Sequence, residues 1–333
     1  MIPQAVLNQE TSPTQGALVE VKNLSVTYKT RGGYTKAVDD VSFTINKGEV
    51  LGLAGESACG KTTTALSLIR LLGSNAQTEG QVLMNGKDIL TMSQEELRNL
   101  RWKQVSLIPQ GSMNSLDPVI PIGNQIIEAI SAHVRVPRRQ AWEMTTQLLS
   151  SVAIHPSRRR NYPHEFSGGM KQRTVIAMAL ALNPLLVIAD EPTTALDVVV
   201  QKQLLNLLKG LQAKLGVSFL FVTHDLSVIA EIADRIAIMY AGRIVEIGKK
   251  DDVLQRPSHP YTEALVNSVP KVFGDRQILN SIPGNPPSGV WPTGCRFHPR
   301  CKYAFDLCKE KEPRLLKSKT GSEAACHLIS ANA

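Results

Sequence analysis

Residues 50–62, VLGLAGESACGKT, constrain the fold more than any other stretch of the chain. The first six are an apolar run that closes on glycine, the pattern of a parallel strand buried on both faces. Gly55, Glu56, Ser57, Ala58, Cys59, Gly60, Lys61 and Thr62 then satisfy G-x-x-x-x-G-K-[ST], and a helix is expected to begin at Lys61. In that strand–loop–helix context, glycines let backbone N–H groups turn inward onto phosphate oxygens. Lys61 supplies compensating charge, and Thr63 follows at the helix start, in reach of a further phosphate.

A second buried run, LLVIADEP, ends on two acids, Asp190 and Glu191. Carboxylates at the tip of a buried strand are costly unless they are used. Beside a phosphate loop the first is placed, with the Thr62 hydroxyl, to hold Mg²⁺, and the second to polarise an attacking water. His224 follows SFLFVT, so it ends a neighbouring parallel strand, where ligands of such sheets gather. Gln110 follows VSLIP and reads as a water or Mg²⁺ ligand at the entry to a helical stretch. ATP is therefore the expected ligand. Cys59 lies in the loop near a helix start; it is either small filler or a thiol shielded by nucleotide.

Residues 18–28 and 37–46 alternate like half-buried strands, and Asn85-Gly86 is suited to a hairpin turn. From about 112 to 165 the texture is helical and rich in arginine. The buried runs of 185–191 and 218–225, joined by a helical stretch over 199–214, point to a parallel α/β sheet. Past about residue 250 proline becomes frequent and periodicity fades, so the organisation reads as a polar tail (1–17), a nucleotide domain (18–250) and an extension (251–333). The longest apolar run, 174–189, is too short to span a bilayer. A formal charge of +8 on 333 residues suits an anionic lipid surface, a nucleotide, or a mildly basic soluble protein.

FSGGMKQR is a second anion grip, because Ser167, Gly168 and Gly169 open a helix whose first N–H groups are unspent. One chain needs two such grips if each serves a different nucleotide, so this one is read as facing the nucleotide of a second subunit. An ordinary N-cap serine is the plain alternative.

The order and spacing of the phosphate loop, Gln110, FSGGM, LLVIADEP, TALD (ending at Asp197) and VTHD resemble the ATP-binding subunit of ABC transporters. That resemblance implies a P-loop, RecA-like α/β fold with a mainly parallel sheet, an antiparallel β subdomain, an inserted helical subdomain and a cysteine-rich extension. It implies that Tyr28 stacks on adenine and that Gln110 senses the membrane subunits. It further implies that Ser167 and Gly169 touch the partner's γ-phosphate, Glu191 is the general base, Asp197 lies at the dimer seam and His224 contacts the γ-phosphate. Met170 stands where the family usually has glutamine.

HPYTEAL, SIPGNPPS and the cysteine-rich end resemble the extension of oligopeptide/dipeptide importer ATPases, and FSGGM resembles their D-type subunit. The partners so implied are an F-type ATPase in a heterodimer, two permeases and an extracytoplasmic binding protein, with no nucleic acid. The implied location is the cytoplasmic face of a prokaryotic membrane, peripherally bound. Two other readings stay open: a non-transport ABC ATPase acting on nucleic acid or ribosomes, and a weakly hydrolysing regulatory subunit.

Cys295, Cys301, Cys308 and Cys326 are spaced C-x5-C-x6-C-x17-C. Four thiolates suit a [4Fe–4S] cluster or tetrahedral zinc, and clustering in a reducing compartment favours metal over disulfides. The resemblance favours the cluster, with zinc or free thiols as alternatives.

Overall fold

Every residue of the strand Val50–Ala54 is buried, as its unbroken apolar sequence requires. In this computed structural model residues 16–268, 282–287 and 289–330 are described, and they divide into two compact units. One comprises Met1–Leu18, Asn46–Gly48 and Met92–Phe219; the other comprises Val19–Ile45, Glu49–Thr91 and Leu220–Ala333. Of the expected polar tail, all but Gly16 and Ala17 lies outside the described residues.

In the larger unit Val50–Ala54 pairs in parallel with Arg235–Tyr240, from Leu51 opposite Arg235 to Ala54 opposite Ile238. The helix Leu226–Ile232 sits on this strand at Gly52, where a Cβ would stand 2.8 Å from two carbons of Ile229. Arg235–Tyr240 reverses through Ala241 and Gly242, both at positive φ (46° and 82°), into Arg243–Lys249. A two-residue loop of that conformation matches the natural twist of a hairpin. A second, antiparallel sheet is ordered Gly33–Asn46, Ala17–Thr30, Ala76–Met84, Lys87–Asp88. Its last turn is the expected Asn85-Gly86, again with both φ values positive (49° and 79°).

The smaller unit holds the strands Val105–Ile108 and Leu186–Asp190, parallel and in register from Val105 opposite Leu186 to Ile108 opposite Ala189. Its helical insert is built on the helix Ile122–Ser131, whose Ile122, Ile126 and Ile130 form one buried stripe at four-residue spacing. The Trp142 ring, carried by the helix Arg138–Ser151, lies over Gly123, where a Cβ would come within 2.6 Å of it. Buried Gln125 costs little, since its amide accepts from Asp117 N–H and donates to the Asp117 and Ile120 carbonyls at 2.7–2.9 Å. Among the described residues no helix is long and apolar enough to cross a membrane.

Past residue 250, where periodicity fades in the sequence, the chain still forms short regular elements. Helices form at Lys250–Gln255, Pro260–Ser268 and Asp306–Glu310, and Glu323–Ala324 pairs with Arg243–Lys249. These pieces are too short to show a period in sequence. Their core is aromatic: Tyr240, Tyr261 and Phe297 are buried with ring centroids 4.6–5.3 Å apart. Fully buried Glu246 accepts from the Ser258 and His259 N–H groups and the Ser322 hydroxyl at 2.8–2.9 Å, fastening the extension to its strand.

A second fastening centres on Asp39, which receives Lys36, Arg243 and Arg296, while the Arg296 guanidinium lies 3.7 Å from the centre of the Trp291 ring. Burial alone would raise the Asp39 pKa, but these three cations pull it from 3.8 down to about 2. A depressed folded-state value stabilises the fold above the unfolded value and is lost as pH falls. Urea denaturation should therefore show stability falling from about pH 4 towards about pH 2, and Asp39→Asn should be less stable at neutral pH with a shallower fall across that window.

Candidate functional site

The loop that follows Val50–Ala54 can be built only with glycine at its two ends. Gly55 has φ +152°, and a Cβ there would stand 2.1 Å from the Met239 carbonyl oxygen. Gly60 has φ +104°, and its Cβ would meet the Ala37 carbonyl oxygen at 2.5 Å. Ala58 between them is also left-handed, at φ 62°. Further on, the Gly242 N–H donates to the Cys59 carbonyl at 2.9 Å, pinning the loop to the Ala241-Gly242 turn.

Lys61 opens the helix Lys61–Ser67, and its buried ammonium donates to the Gly55 and Glu56 carbonyls, both at 2.8 Å. Gly60, as N-cap, offers no side chain to the helix start, which leaves the first N–H groups to a ligand. The Tyr28 hydroxyl stands 3.4 Å from the Thr63 hydroxyl, so the expected adenine-stacking residue flanks the loop. Cys59 is buried; desolvation raises its pKa, with Lys61 opposing. That environment suits a filler more than an activated thiol.

In the same unit His224 is exposed just past the strand Ser218–Thr223, and Asp225 caps the next helix by accepting from the Ser227 N–H at 2.8 Å.

The smaller unit holds the second group. Asp190, nearly fully buried, ends the strand Leu186–Asp190, and Glu191 follows at φ 47°. The parallel register carries the two strand tips out side by side, so Gln110 and Glu191, each two residues past the Ile108–Ala189 pair, meet. Gln110 Nε2 donates to Glu191 Oε2 at 3.0 Å, and the Thr194 hydroxyl donates to the same oxygen at 3.1 Å.

Ser167 is exposed and is the N-cap of the helix Gly168–Ala179, accepting from the Met170 N–H at 3.3 Å. At Gly169 a Cβ would stand 2.7 Å from a methyl carbon of Val200, so a larger residue there requires that side chain to shift. Asp197 caps the helix Val198–Leu215 by accepting from the Val200 N–H at 2.9 Å, and Val198 and Val199 beside it are exposed.

The four tail cysteines line one small cavity, with His259, His298 and His327 also on its wall. Burial pushes the Cys295 and Cys326 thiols up to about 11, and the neighbouring cysteines add to the shift. One ring nitrogen of each of two of these histidines is engaged with backbone: His298 Nδ1 lies 2.9 Å from the Cys295 carbonyl and His327 Nε2 lies 2.8 Å from that of Lys311. Among the described residues no group of three or more His, Cys, Asp or Glu side chains is arranged to hold a metal ion.

Two contacts with the loop have no counterpart in the motif reading. The Tyr261 hydroxyl accepts from the Glu56 N–H at 2.9 Å, and Arg300 forms a two-pronged ion pair with the Glu56 carboxylate at 2.7 and 2.9 Å. Both residues lie in the extension, more than two hundred positions from the loop. The only sequence signal is that Tyr261 is the tyrosine of HPY and Arg300 directly precedes Cys301.

Residues 38–194 match the family described as ABC transporter, and residues 245–308 match the C-terminal region of oligopeptide/dipeptide transporters. The chain is 45% identical over 326 residues to a probable peptide ABC transporter ATP-binding protein, y4tR, of Sinorhizobium fredii, covering 96% of this chain and 97% of that one. It is 44% identical over 300 residues to the oligopeptide transport ATP-binding protein OppD of Escherichia coli, covering 89% of each. Among solved structures, the ATP-binding cassette MJ0796, a dimer in a post-hydrolysis state bound to ADP and Pi, matches at 26% identity and TM-score 0.62. That likeness covers 70% of this chain and 98% of the other. With a phosphate loop, a strand-tip acid pair and an SGG helix start all in place, the chain belongs to the ATP-binding subunits of ABC transporters, in the branch that carries the oligopeptide/dipeptide C-terminal region.

Proposed function

We propose that this ATPase powers the import of dipeptides or oligopeptides by closing on a second ATPase subunit, an F-type chain. Two membrane permeases and an extracytoplasmic binding protein complete the assembly, with the chain bound peripherally at the cytoplasmic face of a prokaryotic membrane. The observation that carries the reading is the pair of constructions just described. One is a glycine-bounded loop whose carbonyls aim the Lys61 ammonium; the other is a strand tip where Gln110 holds Glu191. Relatives named as peptide transport ATP-binding proteins, matched over nearly the whole chain, support the cargo class.

In this reading the helix start at Lys61 and the lysine itself neutralise the phosphate tail. Thr62 and Asp190 are the ligands offered to Mg²⁺, which when bound supplies charge stabilisation to the reacting phosphates. Glu191 takes the proton from the attacking water, and Gln110 and Thr194 fix the carboxylate's direction through Oε2. His224 contacts the γ-phosphate, and Tyr28 stacks on adenine. Ser167, Gly168 and Gly169 serve the nucleotide held by the facing subunit, with Asp197 at the seam. Ser167's capping bond and an anion compete for the same helix end, where an anion is worth about 0.3–1 kcal/mol in an exposed site.

Two substitutions separate binding from chemistry. Glu191→Gln should slow ATP hydrolysis by about 10²–10⁴ while leaving nucleotide bound and enriching an ATP-dependent dimer in size-exclusion chromatography. Unchanged turnover removes Glu191 from its role. Lys61→Ala should abolish tight ATP binding in equilibrium titration, because the cation held by the Gly55 and Glu56 carbonyls is gone; intact affinity contradicts the cradle.

A [4Fe–4S] cluster held by Cys295, Cys301, Cys308 and Cys326 is part of the same proposal: its support is the donor set, four thiols that line one cavity, and taking it up requires those side chains to rearrange, since among the described residues no three are arranged to hold a metal ion. Zinc is the second reading for the same donors. Protein purified without oxygen should absorb near ~400 nm and contain iron and acid-labile sulfide, and Cys308→Ser should lose both signals. A colourless protein carrying stoichiometric zinc overturns the cluster.

A further inference from the structure

Glu56 is held at three of its atoms or groups within one unit. Its N–H donates to the Tyr261 hydroxyl at 2.9 Å, its carbonyl accepts from Lys61 at 2.8 Å, and its carboxylate takes both guanidinium arms of Arg300 at 2.7 and 2.9 Å. Arg300 has little freedom of its own. Its side chain is only 7% exposed, its Nε donates to the Pro283 carbonyl at 2.8 Å, and it reaches the Tyr240 hydroxyl at 3.3 Å. Hydrogen bonding to Glu56 raises the Arg300 pKa despite burial, so the guanidinium is permanently charged.

The turn that presents Arg300 is braced at both ends by cysteines: the His298 N–H donates to the Cys295 carbonyl at 2.9 Å, and the Cys301 N–H to the His298 carbonyl at 3.2 Å. Tyr261 is fixed from the other side by the Tyr240 and Phe297 rings, at centroid distances of 4.6 and 5.3 Å.

Glu56 is the second residue of the phosphate loop, and an uncompensated carboxylate there repels a triphosphate. A planar, two-pronged guanidinium both cancels that charge and fixes the direction of the peptide that carries it. We infer that the cysteine-bearing extension is part of the nucleotide site: Arg300 and Tyr261 are positioning residues that set the conformation and net charge of the phosphate loop through Glu56. The inference rests on reading residues 55–62 as the nucleotide cradle, and it assigns the extension a role in nucleotide affinity.

The test is a double-mutant cycle on the full-length chain, titrated with trinitrophenyl-ATP in the presence of Mg²⁺. Arg300→Ala should weaken binding about tenfold, and in the Glu56→Gln background the same substitution should cost about threefold or less, because the charge it leaves exposed is gone. Arg300→Lys should recover the charge but only part of the affinity, and turnover at saturating ATP should fall less than KM rises. Tyr261→Phe keeps the buried ring and removes the acceptor; it should weaken binding several-fold without lowering the thermal midpoint, and so it serves if Arg300→Ala does not fold. Wild-type affinity in both Arg300→Ala and Tyr261→Phe, or an equal loss from Arg300→Ala in both backgrounds, overturns the inference. Failure of the wild-type chain to bind the probe would instead sink the cradle reading itself.

Discussion

Among the glycines of the described residues, the tightest approach is that of the phosphate loop to the strand beside it. At Gly55 a single extra carbon would sit 2.1 Å from the Met239 carbonyl oxygen, well inside contact distance. The parallel pairing of Val50–Ala54 with Arg235–Tyr240 therefore continues directly into the loop, with no side chain able to intervene. Everything at this site follows from that seating. Gly60 is driven against Ala37, the Cys59 carbonyl meets the Gly242 N–H, and the Gly55 and Glu56 carbonyls come to face Lys61.

The same strand carries the loop's seat and the extension's anchor. Tyr240 ends it, and its ring is the common neighbour of Tyr261 and Phe297, while its hydroxyl lies within reach of Arg300. Aromatic contacts and the charged hub at Asp39 do for the extension what regular secondary structure does elsewhere. This is an economical way to order a segment rich in proline, since aromatic burial and charge-assisted hydrogen bonds need few residues. At the Gln110–Glu191 pair, register does the corresponding work. Two parallel strands of equal reach deliver an amide and a carboxylate to one height, and no long-range side-chain packing is needed.

Legibility varied with the range of the interaction. The strand before Gly55, the helix at Lys61, the Asn85-Gly86 turn, the helix opened by Ser167 and the buried strand ending at Asp190 are local patterns, and the structure has them where the residues imply them. The cysteines could be grouped by spacing, but spacing does not say whether the four residues line one cavity; in the structure they do. Past residue 250 the helices and strands among the described residues run from two to nine residues, too short for a period of 3.6 or 2 to declare itself.

By itself the sequence determined the local form of the loop, because glycine and lysine at fixed offsets act through their own backbone and immediate neighbours. It also determined the class of fold, since runs buried on both faces alternating with helices leave few arrangements but a parallel sheet. Only the tertiary structure decided what surrounds Glu56. Nothing in a local pattern can pair a loop carboxylate with an arginine 244 positions away, because that contact exists only once the aromatic core around Tyr240 has closed and brought the two segments together.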